Sequence, residues 1–397
     1  MFELRPYQKK MVEKLVWSQQ LDGADLGVLP TGAGKSIVIA ELAHRTNKHI
    51  LIIQPTKEIL DQNFSKLSAY VDKSEIGVYS ASAGRKDINL YTFATIQSIY
   101  QRSEEFKHFG YVIIDECHLV NPKSSGSMFM TFLEGIGKPK VVGLTATPYR
   151  MDVSYVNLGN DNFAAYTATK LINRTKGNFW KRVMFNINLG ELVESGHLTG
   201  LKYIDKTIFE HNQIASNISK SDFNLEAYAD QMSKEEEKIL EAIYLAEELC
   251  HHVLVFCSTV EQAESLQQTV EGSGVVSAKT PKKMREKLIQ DFREGVVKTV
   301  FNVGVLTTGF DFPELDGIVL LRPTKSIGLF YQMLGRGVRS APGKTGCKMI
   351  DLTGTVKFLG RIETIKFVKR EMWELESETC SNWHNHELYK FEGHRYG

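Results

Sequence analysis

The sequence predicts an α/β protein with two lobes, each built on a parallel β-sheet. Short apolar runs rich in β-branched residues recur along the chain, and each is followed by a longer stretch in which apolar side chains recur at helical spacing. The runs form two sets, which are separated by a less regular stretch from Pro148 to His251. We therefore predict a first lobe at residues 1–195, a second lobe at 196–360 and a small C-terminal tail at 361–397.

The apolar runs have the length and composition of buried strands. In the first set they are HILIIQP, YVIIDECH and KVVGLTATP, and in the second set HHVLVFCS, TVFNVGVL and GIVLLRP. The stretch between the sets contains one strong helical pattern, from Gln231 to Leu249, with isoleucines and leucines on one face and acidic residues on the other. This pattern predicts a helix packed on the second lobe.

Composition places the chain among folded proteins. Its 397 residues are enough for two domains. The content of 42% hydrophobic and 24% charged residues excludes a disordered chain. The 48 basic and 47 acidic residues leave a net charge of +1. The chain therefore cannot hold an acidic polymer by bulk charge, and any basic surface must be local.

The cysteines and the chain start indicate the cellular compartment. Five cysteines, odd in number and scattered, predict free thiols rather than a disulfide framework. The start MFELRPYQKK has no apolar signal core, and no run of about 18 apolar residues suggests a membrane span. We expect a cytoplasmic protein with no membrane partner.

The segment LPTGAGKS at residues 29–36 is a candidate phosphate loop. It lies between an apolar run and the helical pattern IVIAELAHR, so its backbone N–H groups and the helix N-terminus would face an anion. The strict pattern has a glycine where Leu29 stands, although the strand–loop–helix setting is intact. Lys35 would reach the β- and γ-phosphates and Ser36 would bind Mg²⁺. The expected nucleotide contacts are Thr31, Gly32, Ala33, Gly34, Lys35 and Ser36.

A second apolar strand, YVII, ends in two adjacent carboxylates, Asp115 and Glu116. Nucleotide hydrolysis needs one carboxylate for the Mg²⁺ shell and another that orients or activates water. An isolated Asp-Glu pair would usually be a solvated turn, but this pair follows a buried strand in a chain that also contains a phosphate loop. We therefore expect Asp115 to bind Mg²⁺ and Glu116 to act on water.

These features belong to an ordered series of motifs that resembles the DExH-type helicases of superfamily 2. The series is RPYQ at 5–8, the phosphate loop, QPT at 54–56, TIQ at 95–97, DECH at 115–118, TAT at 145–147, FCS at 256–258, the segment 302–313 and QMLGRGVR at 332–339. The resemblance covers most of residues 1–350 and implies two tandem RecA-like lobes with ATP in the cleft between them. The second lobe is most similar to RadD-type DNA repair ATPases and to phage and bacterial branch-migration helicases, and the chain departs from the RadD type, which carries a longer cysteine-rich C-terminal region.

The resemblance implies residue roles around the base and ribose of ATP. Gln8, with Arg5 beside it, matches the group that reads the adenine edge, since a side-chain amide can donate and accept hydrogen bonds at once. Gly309 and Asp311 match the block beside the ribose.

The resemblance also implies roles at the γ-phosphate. Arg336 and Arg339 match the arginines that stabilise the charge spreading over the γ-phosphate when the lobes close. The groups implied to relay the γ-phosphate state and to couple it to movement are Gln332, His118, Thr145 and Thr147. For either threonine hydroxyl alone, a capped strand end is a serious alternative.

Polar residues where strands end are implied as contacts with a nucleic-acid backbone. Such corners can hold phosphates without reading bases. The candidates are Pro55, Thr56, Lys57, Thr95 and Gln97 in the first lobe and Ser258 and Thr307 in the second. Val303 stands where the family pattern often has a threonine that contacts the backbone.

Two basic stretches could extend a nucleic-acid track. Lys170 to Arg182 contains the adjacent aromatics Phe179 and Trp180, which suit unstacked bases or a strand-splitting wedge; a core aromatic pair is the alternative. Gly317 to Ile350 contains six basic residues and no acid, although Lys344 and Lys348 fit a solvated face equally well. In the tail, the possible zinc ligands Cys380, His384, His386 and His394 have a spacing that fits no closed Cys/His pattern.

Together these features predict an ATP- and Mg²⁺-dependent DNA helicase or translocase. The resemblance implies forked or branched DNA as substrate, movement from 3′ toward 5′, and a bacterial cell or phage-infected host as the setting. An RNA-dependent ATPase and an ATP-switched nucleic-acid clamp without net unwinding are the alternatives. Protein partners are not predicted.

Overall fold

The computed structural model describes residues 2–46, 48–122, 126–159, 162–174, 179–217, 221–306 and 311–379, with the side chains of 152–168 and 174 left out. The chain forms two compact units. The first comprises Met1–Arg150 and Lys170–Asn188, and the second comprises Met151–Thr169 and the described residues from Leu189 onward. The division between Asn188 and Leu189 lies slightly before the boundary that the sequence predicts at residue 195.

The first unit is built on a sheet in which every neighbouring pair of strands is parallel except the short edge pair β3–β4. The strands up to residue 186 are β1 (Ala24–Val28), β2 (Ile50–Gln54), β3 (Ile76–Ser80), β4 (Arg85–Lys86), β5 (Tyr91–Thr95), β6 (Tyr111–Asp115), β7 (Lys140–Thr145), β8 (Tyr149–Gly159), β9 (Asn162–Leu171) and β10 (Trp180–Asn186). The sheet order is β10-β1-β7-β6-β2-β5-β3-β4. Strands β8 and β9 form a separate two-stranded sheet, most of which belongs to the second unit. Strands β1, β2, β5 and β6 are buried along their whole length, because helices cover both faces of a parallel sheet and the strands therefore read as continuous apolar runs.

The second unit repeats this architecture with a fully parallel six-stranded sheet. Its strands are β11 (Leu201–Asp205), β12 (Val253–Phe256), β13 (Gly274–Ser277), β14 (Thr299–Val303), β15 (Gly317–Leu320) and β16 (Cys347–Asp351), in the order β11-β16-β15-β12-β14-β13. This pair of parallel sheets confirms the predicted fold class.

Helices connect the strands in both units. Those of the first unit are α1 (Pro6–Trp17), α2 (Lys35–Arg45), α3 (Lys57–Leu67), α4 (Ile96–Ile99) and α5 (Met128–Gly135), and those of the second are α6 (Leu189–Glu194), α7 (Leu225–Met232), α8 (Glu236–Leu249), α9 (Val260–Thr269), α10 (Lys282–Arg293), α11 (Ile327–Leu334) and α12 (Thr355–Leu359). Side-chain oxygens of Thr56, Thr259 and Ser326 cap α3, α9 and α11. The predicted helix at 231–249 is the end of α7 followed by α8, which begins at Glu236 rather than at Gln231. Ile239 and Ile243 of α8 are buried in the core of the second unit, as predicted.

The start of the predicted tail packs on the second unit. Glu363 accepts a hydrogen bond from the backbone N–H of Leu201 (2.8 Å) and another from the Tyr203 hydroxyl, both on β11. Beyond it, β17 (Lys366–Lys369) and β18 (Trp373–Glu376) form an antiparallel hairpin in which Phe367 stacks on Trp373. The four candidate zinc ligands of the tail lie outside the described residues.

The end of the basic and aromatic segment, from Trp180 onward, lies on the edge strand β10 of the first sheet, and the predicted base contact by Trp180 is wrong. Trp180 is fully buried, and a Cβ on Gly143 would lie 2.4 Å from its ring, so the indole packs directly on β7. Phe179 is partly buried, packs on the same core and makes an edge-on contact with Trp180. Arg182 pairs with the buried Asp25 (2.7 Å). The charge of Arg182 thus serves to hold β10 against β1.

Among the described residues, no helix has the length and apolar character needed to cross a membrane.

Replacing Trp180 by alanine should destabilise the first unit by about 3–5 kcal/mol, because the substitution opens a cavity in a fully packed core. Thermal and denaturant unfolding followed by circular dichroism measures the change. Trp17→Ala is the matched control, since 54% of Trp17 is exposed and its loss should cost little. Unchanged unfolding of Trp180→Ala together with weakened DNA binding would restore the wedge interpretation.

Candidate nucleotide-hydrolysis site

The loop at residues 29–34 has the backbone shape of a phosphate cradle. Gly32 and Gly34 have φ angles of 82° and 87°, in the left-handed region that glycine tolerates, and α2 begins immediately afterwards at Lys35. The first N–H groups of α2 have no partner within the helix and are available to an anion. Leu29 is fully buried, so the position at which the strict pattern has glycine contributes to the core.

Side chains of helix α1 hold this loop in place through hydrogen bonds. The Tyr7 hydroxyl and the Gln8 amide both donate to the carbonyl oxygen of Ala33, at 3.0 and 2.9 Å. The other end of the Gln8 amide accepts from the backbone N–H of Arg5 (2.9 Å). A Cβ on Gly34 would lie 2.4 Å from the Gln8 amide nitrogen, so only glycine fits there. Gln8 thus supports the loop backbone in this structure, and its role at adenine stays a prediction.

Strand β6 delivers the two carboxylates to the same end of the sheet as the loop, since β1, β7 and β6 are parallel neighbours. Asp115 is almost fully buried and accepts hydrogen bonds from the Asn63 side chain (2.9 Å) and from the backbone N–H of Glu116 (2.9 Å). Glu116 adopts a left-handed backbone conformation, φ 48°, which is uncommon for a residue with a side chain. Such strain is often found where the surrounding structure fixes a functional side chain.

Glu116 bridges the phosphate loop and the coupling residues. One carboxylate oxygen lies 3.4 Å from the Lys35 ammonium, and the other lies 3.4 Å from Nδ1 of His118. The same His118 nitrogen lies 2.9 Å from the Thr145 hydroxyl and 3.3 Å from the Thr147 hydroxyl. The Thr145 hydroxyl also accepts from the backbone N–H of Thr147 (3.0 Å). A continuous polar chain therefore runs from Lys35 to the end of β7.

The surroundings shift the pKa values of the two carboxylates in opposite directions. Burial raises the pKa of Asp115 above its usual range, and the neighbouring Glu116 carboxylate raises it further. Burial alone would raise the pKa of Glu116 as well, but Lys35 and His118 together lower it. Glu116 is therefore ionised. The pKa of Asp115 is the higher of the two, so a nearby cation would stabilise the ionised form of Asp115 more than that of Glu116.

The residues around Asp115 and Glu116 fit a bound Mg²⁺ ion and a nucleoside triphosphate. One buried oxygen of Asn63 and both polar atoms of the fully buried Gln54 have no hydrogen-bond partner among the described residues. Gln54 follows Ile53, which pairs with Ile114 directly before Asp115, so these groups share one sheet edge. Oxygen atoms gathered at one edge suit a hydrated Mg²⁺ ion, for which Ser36 and Asp115 are the predicted ligands.

The second unit contains the predicted arginine block around the end of α11. Gln332 is half-buried on the helix, and Arg336 follows it in a buried position. Arg339 pairs with Asp311 at 2.9 Å and is largely buried. The structure thus joins two residues that the sequence assigns to the nucleotide, although they are far apart along the chain. The predicted contacts Gly309 and Thr307 lie outside the described residues.

The predicted nucleic-acid contacts of the first unit cluster at two neighbouring strand ends. Gln54 pairs with Thr95 across β2 and β5, so Pro55, Thr56 and Lys57 lie beside Thr95. Thr56 and Lys57 are half-buried, and Gln97 is exposed. The Thr95 hydroxyl is buried and contacts those of Ser80 and Ser98. Whether these groups bind a nucleic-acid backbone stays a prediction.

In the second unit, the Ser258 hydroxyl is committed to the fold. It donates to the carbonyl oxygen of Leu321 at 2.8 Å and is buried. The single proton of this hydroxyl already joins the ends of β12 and β15, and the predicted contact of Ser258 with a nucleic-acid backbone stays a prediction.

Sequence reasoning missed Asn63 and Tyr7. Asn63 lies on α3 and is fully buried against Asp115, although no pattern in the sequence separates it from other helical polar residues. Tyr7 stands within the RPYQ motif, and its hydroxyl bond to the loop depends on the packing of α1 against α2.

The fold and the site define a phosphate-loop protein with two parallel-sheet units. Residues 1–150 match the family described as "Type III restriction enzyme, res subunit", and residues 227–341 match "Helicase conserved C-terminal domain". Both regions are therefore similar to helicase families, in agreement with the predicted resemblance to superfamily 2 helicases. The predicted closeness of the chain to the RadD type stays a prediction.

Known proteins agree with this assignment. IRC3 of Saccharomyces cerevisiae, a candidate ATP-dependent helicase by name, is 25% identical over 381 residues, which cover 88% of this chain and 51% of IRC3. The ATP-dependent DNA helicase uvsW of Enterobacteria phage T4 is 26% identical over 335 residues, which cover 82% of this chain and 64% of uvsW. The chain thus spans about half to two thirds of the length of these relatives.

A solved structure shares the fold. It is a fragment assigned as an HsdR subunit of a type I restriction enzyme from Vibrio vulnificus YJ016, with a TM-score of 0.66 and 20% identity. The match covers 89% of this chain and 65% of that one.

Replacing Asn63 by alanine should weaken the apparent Mg²⁺ affinity of ATP turnover by about 10–100-fold, since the residue holds one oxygen of the Mg²⁺ ligand Asp115. The measurement is the Mg²⁺ concentration that gives half-maximal turnover at saturating ATP. Ser65→Ala, on the exposed face of the same helix, should leave that concentration unchanged. An equal Mg²⁺ requirement in Asn63→Ala and the natural chain would refute the positioning role.

Proposed function

We propose that the chain is an ATP-dependent DNA helicase or translocase. The observation that carries this proposal is the position of Glu116 between Lys35 and His118, at 3.4 Å from each. A carboxylate that touches the phosphate-loop lysine on one side and the Thr145–Thr147 strand end on the other can sense the γ-phosphate and transmit its loss. A simple nucleotide-binding site would need no such connection.

In the proposed reaction, Lys35 and the loop N–H groups hold the β- and γ-phosphates. Ser36 and Asp115 would hold Mg²⁺, which would supply positive charge against the phosphate oxygens. Glu116 orients the attacking water. Lys35 and His118 lower its pKa and keep it ionised, and it becomes a stronger proton acceptor when Lys35 turns to the phosphates. Arg336 and Arg339 of the second unit stabilise the charge that spreads over the γ-phosphate. Arg339 must exchange its partner Asp311 for phosphate to do so.

We propose that the strand ends around Thr56 and Gln97 contact the DNA backbone. These groups lie on the same edge of the first sheet as Glu116, so a change at the γ-phosphate can reach them through the sheet. Backbone contact without base reading gives binding to any sequence, as a motor requires. The DNA helicase named among the relatives supports DNA over RNA.

Branched or forked DNA is the proposed substrate. The support is the resemblance of the second unit to branch-migration helicases and the similarity to a phage DNA helicase. Cytoplasm of a bacterial cell or of a phage-infected host is the corresponding setting.

The test is steady-state ATP turnover with no polymer, single-stranded DNA, forked DNA, a four-way junction and matched RNA. Forked or four-way DNA should stimulate turnover most, and Lys35→Ala should abolish it because the γ-phosphate loses its cation. Equal stimulation by RNA would favour the RNA-dependent ATPase. Turnover that no polymer changes would refute the motor.

A second experiment separates a helicase from an ATP-switched clamp. Forked DNA with a fluorophore and a quencher on opposite strands should be separated only when ATP is hydrolysed. Arg339→Ala should still bind ATP but lose strand separation, since the arginine acts on the transition state. DNA-stimulated hydrolysis without separation of either forked or four-way DNA would favour the clamp.

A further inference from the structure

Lys344 lies in the basic stretch at 317–350, but its ammonium faces the protein. Its three N–H groups donate to the backbone carbonyl oxygens of Pro313, Gly337 and Arg339, each at 2.8 Å. An ammonium has three donors and no acceptor, so these bonds use its full capacity. A polymer track and a solvated face, the two sequence interpretations of Lys344, are therefore both wrong.

The three carbonyls belong to two segments that the sequence connects to ATP. Pro313 ends the segment that contains Asp311, and Gly337 and Arg339 lie in the arginine block. A second link joins the same two segments, since Arg339 pairs with Asp311 at 2.9 Å. Lys344 thus holds the backbone of the arginine block while Asp311 holds the Arg339 side chain.

The local fold aims Lys344 at these carbonyls. Residues 341–344 form a turn closed by a bond from the Lys344 N–H to the Ala341 carbonyl (3.1 Å), with Gly343 at φ 76°. The turn reverses the chain directly after the arginine block, so the lysine side chain folds back over it.

Thr199 and Cys347 also contact this backbone. Thr199 donates its N–H to the Val338 carbonyl (2.8 Å) and its hydroxyl to the Arg339 carbonyl (3.3 Å). Gly337 packs on Cys347, where a Cβ would lie 2.6 Å from the sulfur. The Arg339 carbonyl therefore accepts from both Lys344 and Thr199, and the ammonium supplies the charge-assisted bonds.

We propose that Lys344 is a positioning residue for catalysis, which fixes the backbone of the arginine block so that Arg339 can meet the γ-phosphate. This inference rests on the proposed ATP hydrolysis and adds a residue that does not touch the nucleotide. Since small displacements of a catalytic group cost large factors in rate, the clamp should affect the chemical step far more than ATP binding.

The test replaces Lys344 by methionine, which keeps an unbranched stem of similar length and removes the three donors. We expect kcat for DNA-stimulated ATP hydrolysis to fall by about 10–100-fold with little change in KM for ATP. In the Arg339→Ala background, Lys344→Met should cause no further fall, because a residue that acts through Arg339 has nothing left to position.

The matched control is Lys348→Met. Lys348 also donates to a backbone carbonyl, that of Leu249 (2.7 Å), but this bond does not involve the arginine block. Its kcat should stay at the natural value. Lys344→Gln, which keeps a neutral polar group, is the second variant in case Lys344→Met does not fold, and its loss should likewise vanish in the Arg339→Ala background.

A readout without ATP separates this proposal from the proposed function. Hydrogen exchange of the backbone amides at 336–340, measured by mass spectrometry, should accelerate in Lys344→Met and not in Lys348→Met. Unchanged exchange, or a kcat loss that adds fully to that of Arg339→Ala, would overturn the clamp. If the natural chain hydrolyses no ATP with any polymer, the proposed function fails and the exchange result alone decides on the clamp.

Discussion

The ion pair between Lys35 and Glu116 is the interaction on which the site of this protein depends. It joins the phosphate loop after β1 to the end of β6, and it can form because both strands run parallel in one sheet and end at the same edge. The same carboxylate reaches His118 and, through it, the end of β7. The phosphates of a bound nucleotide would compete with Glu116 for Lys35. Their binding or loss would therefore change the contacts of Glu116 and, through it, those of His118 and Thr145.

Sequence reasoning predicted this part of the molecule because each group follows a buried apolar strand. Parallel strands give short apolar runs, and the residues directly after them meet at one sheet edge. The order of the motifs then assigned chemistry to Lys35, Asp115 and Glu116, and the structure brings these residues together. The left-handed backbone of Glu116 could not be predicted, since it follows from the way the chain turns after β6.

The incorrect predictions concern basic and aromatic residues, because the sequence does not show whether such side chains are buried or exposed. Trp180 and Arg182 resemble a nucleic-acid surface, but Trp180 fills the core beneath Gly143 and Arg182 neutralises the buried Asp25. Lys344 resembles a surface lysine, but its donors are used by three carbonyls. In each case the partner is distant in sequence or is a backbone atom, so no spacing pattern could reveal it.

The central claim is that Glu116 activates water for ATP hydrolysis, and Glu116→Gln tests it most directly. The amide keeps the shape of the side chain but cannot accept a proton. We expect ATP binding, measured by displacement of a fluorescent analogue, to persist while DNA-stimulated turnover falls by about 10²–10⁴-fold. Turnover within a few-fold of the natural chain would contradict the account and place the catalytic group elsewhere.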